Sequence, residues 1–199
     1  MKKLLKTLVI DTATNYYYLA LIDEKIIDEV YSIGHNDHSA NLMPSIENML
    51  KKANLKLKDI ENVLVGIGPG SYTGIRIGVV VAKMIGYLNN INVYTFSSLD
   101  LLATAKDSKY VLSLIDARRG NAFMAYYKNN KELEKIIPDC LENIEEFKKN
   151  LKEEYEISTS GKPNPLRIPD LLLTKVENIH ELVPNYLQVT EAERNKYGN

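Results

Sequence analysis

The chain has 199 residues, enough for one domain or two small lobes, and its 45% hydrophobic and 26% charged content excludes a disordered chain. Lys and Arg number 25 against 26 Asp and Glu, so the bulk charge argues against strong independent binding to nucleic acid, which relies on neutralising phosphates. Cys140 is the single cysteine, which excludes an internal disulfide and a CxxC metal site and suits a reducing cytoplasm.

The apolar run over residues 4–10 is short, is broken by Lys6 and ends at Asp11, so it reads as a first strand and not as a leader. After the polar turn Thr12-Ala13-Thr14-Asn15, the aromatic and branched stretch Tyr16 to Ile22 predicts a second strand. A hairpin at Asp23-Glu24 and a third strand near Ile26 to Ser32 complete an antiparallel start. From Ser39, a candidate N-cap, the period becomes helical: Leu42, Met43, Ile46, Met49, Leu50 and Ala53 recur at three- and four-residue steps, with Pro44 in or near the first turn. Val63 to Ile67 is a short apolar strand of the kind buried on both faces. A glycine loop follows, then a long helix from about Tyr72 to Asn89, a strand over Asn92 to Phe96, and a helix capped by Ser97-Ser98 that runs to about Ala105.

The second half repeats this order. Strands at Tyr110 to Ile115 and Ala122 to Tyr127 flank the turn Arg118-Arg119-Gly120-Asn121, and a third strand is predicted at Glu132 to Ile137. Ile144, Phe147 and Leu151 mark an amphipathic helix, Tyr155 to Ser158 a strand, Gly161 to Pro165 a loop, and Asn178 to Leu182 a short helix before a polar tail from Thr190. The pattern predicts two related α/β lobes, the second reduced. The apolar run Ile75 to Leu88 carries Arg76 and Lys83 and is too short for a membrane span, so a cytoplasmic chain is expected.

Gly68-Pro69-Gly70-Ser71-Tyr72-Thr73-Gly74 sits between a strand and a helix, a setting that can bind an anion. Three named motifs fail there. A P-loop lacks its Lys-Ser/Thr pair; a dinucleotide fingerprint meets Ser71 or Thr73 where glycine is required; a nucleophile elbow around Ser71 meets Pro69 and Thr73. The structural alternative is a tight turn with Ser71 or Thr73 capping the helix. Within that helix Gly74, Gly78, Ala82 and Gly86 form a four-residue ridge of small side chains. Helical glycine costs about 0.5–1 kcal/mol relative to alanine, so close approach of another backbone is expected along the ridge. That backbone belongs either to a partner protein or to the chain's own sheet or its 39–53 helix.

Leu8-Val9-Ile10-Asp11-Thr12-Ala13-Thr14, the helix with Leu42 and Pro44, Gly68-Pro69-Gly70-Ser71-Tyr72-Thr73-Gly74-Ile75-Arg76-Ile77-Gly78, Ser97-Ser98-Leu99, Asp116-Ala117-Arg118-Arg119 and Pro184-Asn185-Tyr186-Leu187 together resemble the bacterial TsaB family, also called YeaZ. The resemblance implies a two-lobe fold of the actin, sugar-kinase and Hsp70 (ASKHA) type, with a partner-binding lobe at 1–106 and a smaller α/β lobe at 107–199. It further implies a non-catalytic scaffold in the synthesis of N6-threonylcarbamoyladenosine on tRNA, paired with a TsaD-like catalytic paralogue, joined by a TsaE-like ATPase, and meeting tRNA only through the complex. The pairing would use the 39–53 and 72–89 helices through Leu42, Ile46, Met49, Gly74, Ile75, Gly78, Val81, Ala82 and Ile85. On that expectation Leu at Gly78 or Ala82 abolishes pairing and leaves the fold intact, and the isolated chain forms a homodimer.

Other expectations qualify the resemblance. The catalytic paralogue holds a metal through His-x-x-x-His, whereas His35 and His38 are three apart and precede the helix, so no metal is expected; His180 reads as structural. Ala13 replaces the glycine of a phosphate hairpin, leaving Asp11, Thr12, Gly70 and Ser71 as weak nucleotide contacts and a nucleotide shared at the partner interface as the remaining possibility. Arg118 and Arg119 either contact RNA or a nucleotide or form a salt bridge that fixes their turn. Gln188 stands where the family carries Arg. The competing functions are a protease-like hydrolase, which would need a base for Ser71, and a stand-alone ATPase.

Overall fold

The computed structural model describes residues 6–33, 38–130 and 132–187. Its first sheet has six strands in the order β10-β5-β4-β1-β2-β3. β1 (Thr7–Asp11), β2 (Tyr16–Asp23) and β3 (Lys25–Ile33) are antiparallel neighbours, while β4 (Asn62–Gly66) and β5 (Asn92–Phe96) lie parallel to β1. β1 is buried along its whole length, which is why it shows no polar alternation. Its side chains still alternate between faces. Leu8 and Ile10 meet α1 (His38–Lys52) and α2 (Tyr72–Asn89), whereas Val9 faces Leu64, Phe96, Leu101 and Ile168 on the other side.

The second sheet has the order β8-β7-β6-β9, from β6 (Tyr110–Asp116), β7 (Asn121–Asn129), β8 (Leu133–Asn143) and β9 (Glu156–Ser158). β6, β7 and β8 are antiparallel and β9 is parallel to β6, with the short α4 (Ile144–Lys149) between β8 and β9. That reproduces β3-β2-β1-β4 with α1 between β3 and β4, in the same pairing senses. The repeat, with a six-residue helix replacing one of fifteen, is the reduced second lobe read from the sequence.

The chain does not divide cleanly at residue 106. α3 (Ser98–Ala103), capped by Ser97 with Asp100 closing a capping box, packs Leu99 and Ala103 against Val111, Ala125 and Tyr127 of the second sheet. Conversely, the C-terminal segment returns to the first lobe. β10 (Thr174–Lys175) pairs antiparallel with β5, the 3-10 turn Ile179–Glu181 lies on α2, and Asn185 N donates to Ile67 O at 2.8 Å. β8 also runs past the predicted end at Ile137, passing Pro138 where its register with β7 is irregular.

A buried charge network ties the two lobes. Lys135 Nζ sits 2.6 Å from Asp100 Oδ1 and 2.8 Å from Asp139 Oδ1, Tyr127 OH donates to Asp100 at 2.8 Å, and Ser97 Oγ donates to Asp139 at 2.5 Å. Burial acts to lower the Lys135 pKa, but the carboxylates of Asp100 and Asp139 outweigh it and raise it.

Candidate functional site

The glycine loop is filled by its own chain. Gly68 takes a left-handed backbone (φ 101°), and the Gly68–Pro69 bond is cis. A Cβ on Gly70 would lie 2.2 Å from Ala13 O, and Ser71 N donates to that same oxygen at 2.7 Å. Ser71 Oγ accepts from Gly74 N at 3.2 Å, so Ser71 is the cap of α2. Thr12 Oγ1 donates to Gly74 O at 2.7 Å from within the core. The β1–β2 turn and the loop therefore bond directly to one another.

The small-residue ridge points the same way. A Cβ would lie 2.1 Å from Thr12 O at Gly74, 2.5 Å from Thr12 Oγ1 at Gly78, and 2.5 Å from Val93 Cγ2 at Gly86. Of the two packings weighed for the ridge, the structure adopts the intramolecular one, against β1, its following turn and β5. This corrects the expected partner surface: Leu42, Ile46, Met49, Gly74, Ile75, Gly78, Val81, Ala82 and Ile85 are all buried within the first lobe. It also corrects the expectation that Leu at Gly78 or Ala82 spares the fold.

The opposite face of the same helices is apolar and open. On α2, Val80 and Met84 are 53% exposed, Tyr87 62% and Leu88 71%, and Met43 of α1 is exposed nearby on the same helix layer. Their spacing of four, three and one residues places them along one stripe. The signal was present in the sequence, because once the glycines face the sheet, these large residues must face away.

Asp11 is fully buried, with Oδ1 accepting from Ala13 N at 2.9 Å and Oδ2 making no hydrogen bond of ordinary geometry. Burial raises its pKa, and the nearby Ser98 hydroxyl and the Ala13 N–H offset this only in part. It borders a cavity of about 30 Å³ with Thr14, Tyr16 and Ser98. Gly66 is required beside it, since a Cβ there would fall 1.9 Å from Oδ2.

A wider cleft of about 1230 Å³ lies between the lobes. It brings Gly70 and Ser71 together with Arg118 and Arg119, while Thr12 stays in the core. Asp116 Oδ1 accepts from the backbone N–H of Arg118 at 2.9 Å, so it fixes the turn through the main chain. Sequence reasoning missed a cluster at the cleft mouth. Arg76 Nε donates to Tyr186 OH at 2.7 Å, its guanidinium lies 4.0 Å over the Tyr72 ring, and the Tyr72 and Tyr186 rings stack at 4.7 Å. These residues are 110 positions apart in sequence, beyond any local pattern. Gln188 and His35 lie outside the described residues, as does the side chain of His38; His180 meets the Tyr87 ring edge-on.

Two lobes that repeat one strand order around a shared cleft define a protein of the actin, sugar-kinase and Hsp70 class. Residues 30–181 match the family model described as TsaD, tRNA N6-adenosine threonylcarbamoyltransferase. A Bacillus subtilis relative named tRNA threonylcarbamoyladenosine biosynthesis protein TsaB is 29% identical over 94% of this chain and 95% of its own. The Escherichia coli protein of that name is 30% identical over 64% of this chain and 57% of its own. A solved Pseudomonas aeruginosa structure, described as similar to peptidase YeaZ, matches with a TM-score of 0.77 at 20% identity over 92% of this chain and all of its own. The chain belongs to the TsaD family of that model and, within it, to the TsaB (YeaZ) group.

Proposed function

We propose that this chain serves in the synthesis of threonylcarbamoyladenosine on tRNA as a non-catalytic scaffold. In this reading it docks on a TsaD-like catalytic paralogue, and a TsaE-like ATPase joins the pair. The observation that carries the docking is the exposed stripe Val80, Met84, Tyr87 and Leu88, an apolar patch that a soluble lobe ordinarily covers. The names of the relatives supply the pathway.

The loop geometry supports the non-catalytic part. Ser71 Oγ is engaged as a helix cap, and His180 lies against Tyr87, well along α2 from Ser71. The bond from Ser71 N to Ala13 O, and the absence of room for a side chain at Gly70, favour a chain that holds no nucleotide by itself.

The test uses exposed positions. Met84→Asp with Leu88→Asp should abolish co-elution with the catalytic paralogue and leave the thermal midpoint of the isolated chain nearly unchanged, because both side chains face solvent. Retained co-elution would remove the docking reading.

A further inference from the structure

The interlobe cleft carries groups that the docking face leaves unused. On the first-lobe side its mouth is formed by the exposed, stacked Tyr72 and Tyr186, with the Arg76 guanidinium against them. On the second-lobe side Arg118 and Arg119, both exposed, stand at the tip of the β6–β7 turn. Both hold left-handed backbone conformations (φ 69° and 56°), positions where hairpins ordinarily place Asn or Gly. Asp116, the acidic residue of this wall, already spends Oδ1 on the backbone of Arg118.

The bond from Ser71 N to Ala13 O holds the β1–β2 turn against the glycine loop, and both line the cleft, which at about 1230 Å³ runs on to the second lobe. The stacked tyrosines with Arg76 lie on one wall, and Arg118 and Arg119 on the other. A polymer laid through the cleft would meet both, since unpaired bases stack on aromatic rings and phosphates pair with arginine.

We propose that the interlobe cleft holds a single-stranded stretch of RNA, with phosphates on Arg118 and Arg119 and a base against Tyr186. The inference rests on the tRNA-modification reading above and adds to it a direct contact by this chain. A net charge of −1 limits the contact to a share of the affinity of the whole complex.

The test compares the wild-type chain with Arg118→Asn/Arg119→Asn, which keeps the left-handed turn, and with Arg118→Lys/Arg119→Lys, which keeps the charge. Each is assembled with the catalytic paralogue, and binding of an unmodified tRNA transcript is followed by fluorescence anisotropy across salt concentrations. The Asn pair should weaken binding roughly tenfold near 0.1 M salt and flatten the log–log salt slope by roughly 1.4, two phosphates' worth for a single strand, while co-elution persists and the Lys pair restores most of the slope. An unchanged slope overturns the proposal, as does loss of co-elution in the Asn pair, which would assign the arginines to the protein interface. Displacement of the RNA by millimolar ATP that binds the isolated wild-type chain, but not the Asn pair, overturns it in favour of a mononucleotide. Should the wild-type chain fail to join the paralogue, the scaffold reading falls, and the isolated chain at low salt, with and without the two arginines, still decides the cleft.

Discussion

Replacing Gly78 by alanine separates a ridge buried at home from one left open for a partner. In the helix alone the change is favourable, because alanine is better than glycine by about 0.8–1 kcal/mol in a helix interior. The structure reverses that sign. The new methyl would lie 2.5 Å from Thr12 Oγ1 and 3.6 Å from Ile10 Cγ2, both on fully buried residues. Thr12 cannot move away without losing its 2.7 Å bond to Gly74 O, worth about 0.5–1.5 kcal/mol, and tight insertion into a packed core costs about 1–3 kcal/mol more. The net expectation is destabilisation by about 1–3 kcal/mol, read as a lower urea midpoint at unchanged slope. Gly78→Leu should unfold the lobe outright. A Gly78→Ala chain more stable than wild type would show that the ridge faces open space, and the intramolecular packing would fail with it.

Two further expectations follow from buried charge. Asp11 has its pKa raised above the ordinary 3.8 by burial, so its folded state holds a proton more tightly than the unfolded chain, and the stability this supplies is present at low pH and lost as pH rises through the folded value. Asp11→Asn should therefore match wild type below pH 3.8 and gain stability relative to it as pH rises from there to the folded value, levelling off above it; denaturant titrations at several pH values check this, and a constant difference refutes it. Lys135→Met removes the cation between the buried Asp100 and the partly exposed Asp139 and should cost about 3 kcal/mol, the lower end of the usual penalty for breaking a buried pair, with a loss under 1 kcal/mol showing that the network does not tie the lobes.

What the sequence displayed depended on the distance over which each signal acts. β2, β3, α2 and β5 were legible to within about one residue and β1 to within about three, because hairpin turns, the Ser71 and Ser97 caps and apolar runs are local. β10 was not, since two residues paired to β5 across 79 positions leave no periodic trace. The Tyr72–Arg76–Tyr186 cluster was hidden for the same reason. The partner surface shows a different failure. The helix was correctly placed and its ridge correctly seen, with a partner and the chain's own sheet both open as its neighbour, but the resemblance assigned it to the partner when the nearest backbone was that of Thr12.

That error bears on how the chain divides its work. In α2 one side holds glycines that let Thr12 and Val93 approach, and the other holds Val80, Met84, Tyr87 and Leu88 in solvent. Pulling the helix onto the sheet brings its first turn against Ala13, and this same contact fills the glycine loop. Close packing of the helix and closure of the glycine loop on the β1–β2 turn are thus one structural event, since setting the helix back would lift Gly74 and Gly78 off Thr12. A Gly70→Ala substitution, whose Cβ would fall 2.2 Å from Ala13 O and must push that residue away, would therefore disturb the seating of α2 before it disturbed any ligand.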